Sequence, residues 1–76
     1  MLVVFGFYKF KKINFLKKKK ITLQNYFTKY NIRGTLIISP EGLNGSISGK
    51  QKDVSFINRK IKRLCQIISF DSENLS

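Results

Sequence analysis

Gly34-Thr35-Leu36-Ile37-Ile38-Ser39-Pro40-Glu41-Gly42-Leu43-Asn44-Gly45-Ser46-Ile47-Ser48-Gly49 is the stretch on which the fold turns. Arg33 to Ser39 is rich in β-branched and apolar residues and reads as a strand. Pro40 to Gly45 gathers Pro, two glycines and an Asn-Gly pair, the residues that supply special turn angles. Asn44 to Gly49 reads as a short strand of small polar residues around Ile47. Strands this close in sequence predict a hairpin with Glu41 and Asn44 at its tip. The glycines and Asn44 have a structural reading as backbone turners. They also have a functional one, because polar groups at loop tips are where binding sites tend to lie.

Upstream of this hairpin, Leu2 to Phe10 (LVVFGFYKF) is aromatic and β-branched, with apolar residues on both parities. That pattern predicts a central strand covered on both faces. Gly6 within it suggests a bulge or a close backbone approach. From about Phe15 to Tyr30 the period changes. Leu16, Leu23, Tyr26, Phe27 and Tyr30 share one helix face, with Asn14 a candidate cap and Asn31 a candidate left-handed end. The run Lys17-Lys18-Lys19-Lys20 sweeps about 300° of a helix. Either Lys20 snorkels beside the apolar stripe or the regular helix begins after Lys17, and the second reading is preferred.

Downstream, Gln51 to about Leu64 is an amphipathic helix whose stripe is Val54, Ile57, Ile61 and Leu64. Asp53 in its first turn and Arg63 in its last suit the helix dipole. Gln66 to Phe70 has strand character, and Asp71 to Ser76 reads as a fraying polar end. The order β-α-β-β-α with a partial or missing last strand is an α+β, ferredoxin-like split βαβ pattern in a single domain. In that topology the first strand lies between the third and the fourth. Without a fourth, its apolar edge would be open and aggregation-prone.

Composition narrows the function. The 76 residues allow one small domain, and Lys+Arg 15 against Asp+Glu 4 give a net charge of +11. That charge suits a polyanionic partner, nucleic acid foremost, although the richness in Lys, Ile, Asn and Phe also fits codon bias. With no histidine and a single cysteine, the chain offers neither a zinc site nor an internal disulfide, which suits a reducing cytoplasm. The apolar start is too short to span a membrane. Cys65, following Leu64 and preceding Ile67 and Ile68, reads as a small hydrophobe, not as a nucleophile. Lys9, Lys11, Lys12, Lys17, Lys18 and Lys19, interleaved with Tyr8 and Phe10, form the candidate nucleic-acid-binding patch, for which a solvated charge run is the alternative reading.

The hairpin stretch, together with Phe7-Tyr8-Lys9-Phe10 upstream, resembles the amino-terminal, acylphosphatase-like domain of the rhodanese-related tRNA wobble-uridine hydroxylases. The matching positions are Phe7, Tyr8, Gly34, Thr35, Glu41, Gly42, Asn44, Gly45 and Gly49, and Asp71-Ser72-Glu73 resembles an acidic stretch of that family. The resemblance implies oxygen-dependent 5-hydroxylation of the wobble uridine of tRNA, with molecular oxygen as co-substrate and no cofactor in this chain. It also implies a catalytic cysteine in a downstream rhodanese-like domain that has no counterpart here. The chain then reads as a truncated amino-terminal domain that binds tRNA or organises the catalytic one. Glu41, Gly42, Asn44, Gly45 and Arg33 are its candidate substrate- or partner-contacting residues. Two other readings compete. A stand-alone basic RNA-binding module would need exposed aromatics on its sheet. An acylphosphatase-like hydrolase would need a phosphate loop after the first strand, where Lys11-Lys12-Ile13-Asn14 has neither glycine nor arginine.

Overall fold

The computed structural model describes Met1–Ser76. Its elements run β1 (Leu2–Phe10), α1 (Leu16–Lys29), β2 (Arg33–Ser39), β3 (Gly42–Lys50), α2 (Gln51–Leu64) and β4 (Ser72–Leu75). The four strands form one antiparallel sheet in the order β2-β3-β1-β4. β1 and β2 therefore run parallel with β3 between them, and β3 and β4 run parallel with β1 between them. This is the interleaved split βαβ arrangement expected of a ferredoxin-like, acylphosphatase-like fold.

Both helices lie on one face of the sheet. Val3, Phe5 and Phe7 of β1, Leu43 and Ile47 of β3 and Ile38 of β2 are buried there with Leu23 of α1 and Val54, Ile57 and Ile61 of α2. Phe5, Phe7 and Phe70 stack into an aromatic centre, with ring centroids 4.8–5.9 Å apart. The opposite face carries no layer. Leu2, Val4, Tyr8 and Phe10 of β1 and Ile37 of β2 are exposed on it. The expectation that β1 is covered on both faces is therefore corrected. Its apolar residues on both parities make it central within the sheet, but two helices cover only one side.

Several boundaries differ from the sequence-based expectation, each for a physical reason. Helix α1 begins at Leu16, not after Lys17, because Leu16 packs against the core. Lys20 is exposed and lies beside Leu23, Phe27 and the β2 residues Gly34 to Ile37. Its stem runs along apolar surface while its charge stays in water. Asn14 is not the cap. Phe15 occupies that position in the left-handed region (φ 54°) with no side-chain cap bond, and four lysines follow without an acid. The start of α1 is thus set by tertiary packing against the preference of the dipole. Asn31 does adopt the left-handed angle foreseen for it, at φ 54°.

The hairpin turn is shorter than its composition suggested. It consists of Pro40 and Glu41 alone, between the paired Ser39 and Gly42. Proline's negative φ excludes the mirror-image turns usual in two-residue hairpins. Gly42 absorbs the geometry at φ 152°, where a side chain would sit on the Lys9 carbonyl oxygen. Asn44 and Gly45 lie inside β3. Gly45 faces the core, where a Cβ would come 2.6 Å from the Thr35 carbonyl oxygen and 3.0 Å from the Phe7 ring.

Gln66 to Phe70 is not a strand. The fourth strand is formed by the polar residues Ser72–Leu75, which had been expected to fray. They pair with Phe5 to Tyr8, and Val4 and Ser76 exchange two backbone hydrogen bonds of 2.9 and 2.8 Å. The middle of the β1 edge, read from sequence as open, is occupied.

Candidate nucleic-acid interface

The outer face of the sheet is built from cross-strand rows. Ile37, Asn44, Tyr8 and Ser72 lie side by side, followed along the strands by Ser39, Gly42 and Phe10. The period of two in each strand sets this arrangement. Phe7 and Gly45 point to the core, so Tyr8 and Asn44 point away from it. Tyr8 and Phe10 meet edge to face with centroids 5.6 Å apart. Together with Ile37, Ser39, Leu43, Lys9 and the turn residue Glu41, they line the molecule's largest depression, about 590 Å³ in volume.

Among the candidate residues, this depression brings together Glu41, Gly42, Asn44 and Lys9. Arg33 stands apart, opposite Ser48 near the far end of the same face. Gly45 lies on the covered side. The lysine cluster is divided as well. Lys12, Lys17 and Lys18 are exposed. Lys18 and Lys19 border a small depression with Phe15, Thr22 and Leu64 on the helical side. Lys9 is engaged, its Nζ lying 3.1 Å from Asp71 Oδ1.

Asp71 is the residue that sequence reasoning missed. Its Oδ2 accepts the Phe10 backbone N–H at 2.7 Å, and its own N–H donates to the Tyr8 carbonyl at 2.9 Å. The Phe10 hydrogen bond and then the Lys9 bond and charge hold its carboxyl below the ordinary aspartate value. What could have placed it was the scarcity of acids in a chain with Lys9 on the neighbouring central strand.

Cys65 is buried and unpaired. Burial pushes its thiol pKa up against the opposing influence of Lys19 and Lys11, not of Arg63. A protonated, inaccessible thiol is a poor nucleophile. No three His, Cys, Asp or Glu side chains converge as a metal site, and no helix is long and apolar enough to cross a membrane.

Comparison with known proteins agrees with this architecture. Over all 76 residues the chain is 57% identical to the tRNA uridine(34) hydroxylase of Pelagibacter ubique (strain HTCC1062), and it spans 25% of that protein's length. The sequence profile of the UPF0176 acylphosphatase-like domain matches residues 2–74, which takes in all four strands and both helices up to the penultimate residue of β4. With profile and fold in agreement from β1 to β4, the chain belongs to the UPF0176 acylphosphatase-like domain family.

Proposed function

We propose that this domain is the amino-terminal, tRNA-binding module of a tRNA uridine(34) hydroxylase. The observation that carries the reading is the 57% identity over the whole chain to a protein of that name. The charge supports it. A net +11 on a domain this small draws in a phosphate backbone at long range, and exposed Lys12, Lys17 and Lys18 can neutralise phosphates without reading sequence. In this reading the oxygen-dependent hydroxylation is carried out by a rhodanese-like part of a longer cytoplasmic polypeptide, a division supported by the 25% share of its relative's length that the chain spans and by the burial of its one cysteine.

The test is filter binding of tRNA to the 76-residue chain at about 50 and about 200 mM salt, with nucleoside mass spectrometry of the same tRNA. Affinity is expected to drop about tenfold or more across that interval through counterion release. No 5-hydroxyuridine is expected from the chain alone. Salt-independent binding or no binding would remove tRNA as its partner. Hydroxylation by the isolated chain would refute the division of labour.

A further inference from the structure

Deepening the tRNA reading on which it rests, we propose that the open face of the sheet is a stacking site for unpaired bases, with Tyr8 and Phe10 as its platform. Phe10 is 77% exposed and Tyr8 43% exposed. No packing requirement of the fold explains two adjacent rings on the side away from both helices.

Gly6 points the same way. It lies on the outer face two residues before Tyr8. Its strand is in continuous register, and the nearest atom to a side chain added there is the Gly45 oxygen at 3.9 Å. The backbone therefore does not require glycine at this position, and glycine inside a strand is a cost. What it leaves is an outer position without a side chain two residues from Tyr8 on the same strand face. The outer positions beside it are Asn44, Ser46 and Ser48 of β3 and, directly opposite on β4, Asn74, so no aromatic or branched apolar side chain covers it from either neighbouring strand.

A flat aromatic base fits this space against the ring. Asn44, in register with Tyr8, offers both an amide donor and a carbonyl acceptor for a base edge. Charge selects the occupant. Of the acids near the sheet, Glu41 lies at the turn bordering the depression, Asp71 is paired with Lys9, and Glu73, opposite Phe7, falls on the helix-side parity of β4. Arg33 and Lys50 lie toward its other end, where phosphates can follow. Stacking on aromatics with flanking cations is how single strands are held without regard to sequence.

The test uses the 76-residue chain and a fluorescent single-stranded RNA heptamer, compared with an abasic heptamer carrying the same phosphates. The base-bearing strand is expected to bind about tenfold or more tightly. Tyr8→Ala with Phe10→Ala should erase that margin while leaving the salt slope unchanged. Tyr8→Phe should keep the margin. Gly6→Val should reduce the margin without lowering the melting temperature, a result that a purely structural role for Gly6 would not give. Equal affinity for the two heptamers overturns the stacking site, and it does so with the native chain. If whole tRNA still binds with steep salt dependence in that case, the broader function stands. Undiminished binding by the Tyr8→Ala, Phe10→Ala variant likewise overturns the proposal, and the face then serves a protein surface.

Discussion

Asp71 shows how one side chain fixes the geometry of a sheet edge. It links the segment after α2 to the end of β1 through the Phe10 N–H, the Lys9 ammonium and the Tyr8 carbonyl, and so anchors the strand that carries both exposed rings. Its folded-state pKa is depressed. The stability it supplies is therefore present above the unfolded pKa and is lost as pH falls through the folded one. The urea midpoint should fall between about pH 5 and about pH 2. In Asp71→Asn that midpoint should start lower and vary less over the same interval, which equilibrium unfolding followed by circular dichroism would measure. An unchanged pH profile in the variant would deny Asp71 this role. At the same scale, the glycines divide by cause. Gly42 and Gly45 are demanded by the backbone carbonyl oxygens of Lys9 and Thr35, whereas Gly6 has no such contact.

Among the elements, α2 was fully legible. Val54, Ile57, Ile61 and Leu64 recur at helical spacing, and the first three are buried as that spacing requires. Helix α1 was legible in its apolar face but not in its start, because a lysine run carries no cap signal and the contact made by Leu16 is long-range. Strand β4 was the least legible. Ser72–Leu75 is polar, exposed and short, so neither propensity nor periodicity marks it, and it exists because β1 offers an unpaired edge. Removing residues 71 to 76 should therefore uncover the apolar β1 edge and convert a monomer into aggregates. Size-exclusion chromatography of the truncated and intact chains would show it. A monomeric, cooperatively melting truncation would mean that β4 is dispensable.

For the whole molecule, the balance of charge matters more than any single pair. The one salt bridge joins Lys9 and Asp71, so most of the 15 Lys and Arg side chains have no acid partner. Self-repulsion of this kind destabilises a compact state and is screened over about 10 Å at 0.1 M salt. Raising sodium chloride from about 10 to about 200 mM, a range over which screening tightens severalfold, should raise the melting temperature and weaken RNA binding. Calorimetry and binding would thus respond in opposite directions to one variable. A melting temperature that falls with salt would show that favourable ion pairs outweigh the repulsion.

Local chemistry by itself determined the order of the first five elements, the hairpin that turns at Pro40-Glu41, the buried stripe of α2, the burial of Cys65 and the basic character of the chain. Each of these depends on residues close together in the chain or on composition. Only the tertiary structure decided that one face of the sheet stays open, that Tyr8, Asn44 and Ile37 share a row on it, and that Asp71 and β4 close the edge of β1. Those outcomes depend on pairings between segments up to about seventy residues apart. They also depend on how many layers two short helices can supply, and an apolar pattern on both parities of a strand does not encode that number.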